Sequence, residues 1–221
     1  MNENSRRLAL LTLGGVFTSP DFMDEFREEM RRRCERAGWC ATAHSVMPYG
    51  DWTLPRIRQA AEVTVDVLFP AFGGRRAASE AARLREPSRE GAVEVALLGH
   101  SGGGVAAVHA AAALARTGIP VRAVAMIGSP KTPVPQSLRT RTAAWSLADA
   151  RGRIRDPVAR LGSWLGRPPA HTARLALIGG HRDYFRSRSP FVNEAGESNL
   201  SVTSEAVWRW LRELEPAGGK E

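Results

Sequence analysis

Val93 to Gly118, VEVALLGHSGGGVAAVHAAAALARTG, sets a short apolar run directly against a glycine cluster and an alanine-rich helix. The run Val93, Val95, Ala96, Leu97 and Leu98 shows no polar alternation. That is the pattern of a strand covered on both faces by helices, and it implies a parallel sheet. Between strand and helix stand Gly99, His100, Ser101, Gly102 and Gly103, where the chain must reverse within a few residues and project one side chain, Ser101, outward. Gly99 and Gly103 supply positions without a Cβ where strand and helix come close, and any larger residue there should clash. Glycines 102 to 104 open the helix at about 1 kcal/mol each relative to alanine. Helix propensity does not account for them, whereas close backbone approach does. The amides at this helix start form a site for negative charge, which makes the Gly102 N–H one donor to a developing oxyanion.

Further strands follow from the same reading. Arg7 to Leu13 reads as a strand ending in Gly14, Gly15, Val16 and Phe17. Ser19-Pro20-Asp21 then carries helix-start chemistry, and Phe22, Met23, Phe26 and Met30 form a core-facing stripe of helical period. Cys40 to Val46 is a second strand, residues 53 to 69 a mostly helical stretch, Val121 to Ile127 a strand after the elbow, and Ala173 to Ile178 a fifth. The region from Gly73 to Glu90 reads as a charged surface connection or short helix. Ser204 to Leu214, with Val207, Trp210 and Leu211 on one side, reads as the last helix.

The segment around Ser101 resembles the nucleophile elbow of the α/β-hydrolase superfamily, and the strand order extends the resemblance over most of the chain. It implies a compact α/β fold, a mostly parallel sheet of five to six strands with helices on both faces, as a single domain over 1–221. Ser101 becomes the nucleophile, the Gly102 and Val16 amides the oxyanion donors, and Gly99, His100, Gly103 and Gly15 their support. The turn Gly179-Gly180-His181-Arg182-Asp183 is similar to the one on which the family often carries its acid, so the resemblance assigns that role to Asp183. The family also expects a histidine between the acid and the last helix, and Tyr184 to Thr203 contains none.

A serine hydroxyl is a poor nucleophile without a neighbouring base of near-neutral pKa. Five histidines are available. His100 belongs to the elbow and should point away from the Ser101 oxygen, His109 lies along the following helix, His44 ends an early strand and His171 sits in a Pro-flanked loop. His181 remains, at the carboxyl end of a strand where α/β folds place ligands. It could be oriented by Asp183, Asp149 or Asp156, and either of the last two would keep the family's chain order of serine, acid, histidine. Glu197 and Asn199, near where the family's histidine would fall, read as the mark of a lost base, and neither can replace one.

Two functions compete on these residues. One is a serine hydrolase acting on a small carboxylic ester or thioester through an acyl-Ser101 intermediate, with no metal or organic cofactor. The other is a pseudo-hydrolase, a binding or scaffold protein that keeps the elbow without the base. A minor third reading takes Gly102-Gly103-Gly104-Val105-Ala106-Ala107 as a dinucleotide fingerprint. NAD is disfavoured because no Asp or Glu occurs from Val105 to Ala148, while Lys131 leaves an NADP version open.

The stretch 131–170 holds eight Lys/Arg against Asp149 and Asp156, most of the chain's net charge of +8. Long insertions between core elements are more often functional than idle, and the family commonly inserts a cap here, so a cap is expected over 131–170. Within it Asp156-Pro157 should start a short helix presenting Val158, Leu161, Trp164 and Leu165 on one face and ending at Gly166. Its basic rim, Arg151, Arg153, Arg155 and Arg160, suits an anionic substrate or peripheral contact with anionic lipid. A sequence pI near 10.8 raises nucleic-acid binding, but no helix-turn-helix, zinc or RNA-binding signature accompanies the arginines. Cys34 and Cys40 lack metal-ligand partners in the sequence and read as reduced thiols of a cytoplasmic protein. Arg6-Arg7 before Leu8 to Leu13 lacks a cleavage site and reads as a strand, not a leader.

Overall fold

Apolar runs separated by helix-forming segments build one sheet in the computed structural model, which describes residues 6–50, 62, 73–83, 93–149 and 151–214. The strands are β1 (Arg7–Leu13), β2 (Cys40–Val46), β3 (Glu94–His100), β4 (Val121–Ile127), β5 (Thr142–Ala148) and β6 (His171–Ala176). Their order is β2-β1-β3-β4-β5-β6, and every neighbouring pair is parallel. The helices are α1 (Asp24–Arg36), α2 (Gly73–Arg83), α3 (Gly102–Arg116) and α4 (Asn199–Glu213). Because all strands run one way, the loops after β1, β3, β5 and β6 gather at a single edge of the sheet, where α/β folds place ligands.

Each face of the sheet has its own core. On one, Phe26, Met30 and Cys34 of α1 and Val207, Trp210 and Leu211 of α4 meet Leu8, Leu10, Leu98, Ile127, Trp145 and Leu147. On the other, the alanine face of α3 and Ala77 and Ala81 of α2 meet Ala9, Leu11, Leu97, Val124 and Met126. The small residues of α3 let it lie close to the sheet. Beneath the first core Arg122 is fully buried, paired with Glu94 at 3.2 Å and donating to the carbonyls of Leu211 and Leu214, which anchors the end of α4.

Several expectations need correction. The stretch 131–170 is not a continuous cap, because Thr142–Ala148 within it is strand β5, hydrogen-bonded between β4 and β6. The Asp156-Pro157 helix is one 3₁₀ turn, Val158–Arg160, and Leu161 and Leu165 are 59% and 63% exposed where a packed helix face was expected. Asp156 caps the first free amides of that turn with its own carboxylate. The fifth strand, expected over 173–178, runs over His171–Ala176 and is the sixth, α1 begins at Asp24, and α4 begins at Asn199. The Gly73–Glu90 region contains helix α2. The helical stretch expected over 53–69 lies outside the described residues, apart from the isolated helical position 62.

Candidate active site

The turn after β3 holds Ser101 at φ +57° and ψ −132°, a conformation that L-residues adopt only under constraint. The constraint is visible at its glycines. A Cβ on Gly99 would stand 2.3 Å from the Gly103 carbonyl oxygen, and one on Gly103 would stand 2.0 Å from that of Leu13. A Cβ on Gly104 would meet Ser129 Oγ at 1.9 Å. The turn therefore seats α3 against β1, β3 and the end of β4 at distances only glycine permits. The Ser101 N–H donates to the Ile127 carbonyl at 3.0 Å, which ties the elbow to β4.

The loop after β1 closes over the same serine. A Cβ on Gly15 would lie 2.6 Å from Ser101 Cβ and 3.1 Å from its Oγ, so the backbone there passes directly against the hydroxyl. Thr18 Oγ1 donates to the Gly15 carbonyl at 2.7 Å, and Phe17 takes φ +58° to turn the loop back. Among the described residues, other protein groups take up neither the Gly102 N–H nor the Val16 N–H.

Ser101 Oγ is 3.0 Å from His181 Nε2, and His181 Nδ1 lies 3.0 and 2.9 Å from the two carboxylate oxygens of Asp156. An ionised carboxylate only accepts, so Nδ1 carries a proton and Nε2 presents a lone pair to the serine hydroxyl. Asp156 is wholly buried. It accepts from the Val158 N–H at 2.9 Å and from the Tyr184 hydroxyl at 2.8 Å. Burial raises its carboxyl pKa, but the hydrogen bonds from His181, Tyr184 and Val158 outweigh that and leave it below the ordinary value. Tyr184 in turn accepts from the Leu147 N–H at 2.6 Å, and burial, with the Asp156 charge, pushes its own pKa well up. Ser101 keeps 9% of its surface, and the His181 side chain 21%.

His181 is thus one of the expected residues brought to Ser101, and Asp183 is not its acid. Asp183 turns away to accept from the Gly180 N–H at 2.9 Å and to face Arg186 at 3.7 Å. The carboxylate against His181 is Asp156, and Asp149 is held elsewhere by Arg151 and Arg153. Neither ring nitrogen of His100 bonds the serine oxygen. Its ring packs on the His181 ring at 4.8 Å between centroids, and its Nε2–H donates to the His181 carbonyl at 2.9 Å. Burial, with the nearby His181, holds its pKa down to about 3, so the ring is neutral and shapes the base loop without carrying charge. Asn199 is a brace and no relic of a base: its side chain bonds both N–H and carbonyl of Ile178 and the carbonyl of Asp183. Sequence reasoning did not single out Tyr184, whose position three residues after the base was its only signal.

A family model described as alpha/beta hydrolase matches residues 18–163. The chain belongs to the α/β-hydrolase family. Along the chain Ser101 follows β3, Asp156 follows β5 and His181 follows β6, ahead of α4. This α/β-hydrolase is similar in fold to the RedJ thioesterase from the prodiginine biosynthetic pathway of Streptomyces coelicolor, at TM-score 0.52 and 14% identity, over 95% of this chain and 92% of that one. A second RedJ structure, with a polyethylene glycol molecule bound in its active site, matches at TM-score 0.38 and 18% identity, over 82% and 84% of the two chains. No curated protein matches the sequence. Among the described residues no His, Cys, Asp or Glu cluster gathers that could hold a metal ion, and no helix is long and apolar enough to cross a membrane.

Proposed function

We propose that this α/β-hydrolase cleaves a carboxylic ester or thioester through an acyl-Ser101 intermediate. The observation that carries the reading is the unbroken chain from Ser101 Oγ through His181 to buried Asp156, each link 2.9–3.0 Å. Ser101 Oγ attacks the carbonyl carbon while His181 Nε2 takes its proton, and Asp156 stabilises the resulting imidazolium. The carbonyl oxygen, now negative, faces the Gly102 and Val16 N–H groups, a contribution typically of about 3–4 kcal/mol per donor. Collapse breaks the bond to the leaving oxygen or sulfur, which receives the proton from His181. Water then attacks the acyl carbon, gives a proton to His181, and the acid departs as Ser101 regains its hydrogen.

The likeness to a thioesterase favours a thioester among these substrates. A histidine at 3.0 Å from the serine supports this reading over the binding or scaffold alternative, which requires a missing base. Treatment with a fluorophosphonate reagent tests the reading: labelling should occur in the parent protein and vanish in Ser101→Ala and His181→Ala. No labelling of a correctly folded parent protein would refute it. Parallel turnover of an acyl-N-acetylcysteamine thioester and the matching ethyl ester would then rank the two substrate classes.

A further inference from the structure

Parallel strands are normally joined by a helix that covers one face of the sheet. The β5 to β6 connection has only the single turn Val158–Arg160, and Thr172 and Arg174, on one side of edge strand β6, are exposed. A cavity of about 520 Å³ occupies the uncovered place, within the range of small-molecule sites. Trp164 gives it a flat apolar wall, Met126 and Ile154 extend it, and Ser129, Ser146 and Thr172 add hydroxyl-bearing residues. Its charged wall residues are Lys131 and Arg174, with no Asp or Glu. Arg174 donates to the Gly152 carbonyl at 2.7 Å, whereas the ammonium of Lys131, a half-buried residue, has no hydrogen bond or ion pair among the described residues. Ser101 is not in the wall.

We infer that this cavity is a binding site for a small organic anion with an aromatic-sized apolar body, its anionic group held by Lys131 and Arg174 and its body against Trp164 and Met126. The charge is one-sided, apolar walls stand beside it, and a cation that the described residues leave without a partner is the group that a carboxylate or phosphate would complement. Ala159 lines the same cavity, and its N–H faces Asp156 at 3.4 Å, so a bound ligand also touches the turn that holds the triad's acid. The inference rests on the cavity and stands apart from the serine chemistry.

The test is calorimetric titration of the full chain with 2-naphthoate, using 2-naphthamide as the neutral isostere. One saturable site is expected, with the amide weaker by about tenfold or more, the difference a charge-assisted hydrogen bond makes. Lys131→Met should weaken naphthoate by a similar factor, and Thr172→Trp, which adds bulk from an exposed edge position, should abolish binding with the fold intact by circular dichroism. Prior labelling of Ser101 with fluorophosphonate should leave the titration unchanged. Equal affinity for acid and amide, full binding by Thr172→Trp, loss of the site on Ser101 labelling, or no saturable heat up to millimolar ligand would each overturn the inference. Failure of the fluorophosphonate to label would bear on the hydrolase reading alone, with Thr172→Trp then locating the site.

Discussion

Replacing Asp156 by asparagine should disable the site by reversing one proton, and the structure says why. At position 156 the amide oxygen is drawn to the Oδ1 place, where Val158 N–H donates at 2.9 Å and Ala159 N–H at 3.4 Å. The amide NH₂ then falls at the Oδ2 place, 2.9 Å from His181 Nδ1. With the Oδ1 place already accepting from two backbone amides, the donor at the Oδ2 place turns Nδ1 into an acceptor and moves the ring proton to Nε2, so the lone pair facing Ser101 is gone. Loss of the correct tautomer costs about 10⁴-fold in kcat, or about 5 kcal/mol of barrier. Asp183→Asn offers the control. Its amide oxygen can still accept from Gly180 N–H, and the 3.7 Å pair with Arg186 is half open to solvent, so activity should stay within about threefold. The assays are the second-order rate of fluorophosphonate labelling and hydrolysis of a p-nitrophenyl ester, with thermal melts to confirm folding. A folded Asp156→Asn protein within about tenfold of the parent, or Asp183→Asn falling as far, would refute the assignment.

Other outcomes follow from the packing. Gly103→Ala puts a methyl 2.0 Å from the Leu13 carbonyl oxygen and should prevent stable folding, while Gly118→Ala, with open space around it at φ +73°, should cost only about 1–2 kcal/mol in chemical denaturation. Equal costs would refute the close-approach argument. Tyr184→Phe leaves the buried Leu147 N–H without its acceptor and should cost about 1–3 kcal/mol of stability by urea denaturation, together with a slower labelling rate. Burial, the largest cause, pushes the Cys34 thiol up to about 12, which leaves almost no thiolate at neutral pH, whereas Cys40 is exposed. A disulfide reagent at pH 7.5 should therefore titrate one sulfhydryl quickly and the second only after denaturation. Liposome sedimentation tests the exposed Leu161 and Leu165 beside Arg160 and Arg167: binding to anionic vesicles should exceed binding to neutral ones and fall in Leu161→Asp/Leu165→Asp.

The elbow was legible because every signal at residues 93–118 agrees: an apolar run, glycines where backbones meet, then an alanine helix. Strand β5 was not. Thr142 to Ala148, TAAWSLA, is rich in alanine, which strands disfavour, and it lies between arginines and prolines that read as an insertion. Only Ala143, Trp145 and Leu147, two apart and facing the core, betray a strand. Missing one strand shifts the count by one, so the strand before His181 looks like the one that should carry the acid and the base is sought too far along the chain. Asp156 and His181 come together through folding across a sequence separation of 25, a proximity that spacing alone does not encode. Asn199 misleads for a related reason: an amide can look like the remnant of a base when its work is to satisfy the backbone of two neighbouring loops.

The strained backbone at Ser101 carries a lesson about selection. A conformation near φ +57°, ψ −132° suits glycine, and keeping a side chain there retains about 1–3 kcal/mol that the rest of the molecule must offset. Pressure for durability alone would replace residue 101 with glycine and relax the bend. A Ser101→Gly protein that melts higher than its parent, while no longer reacting with fluorophosphonate, would measure the stability that holding one hydroxyl upright costs.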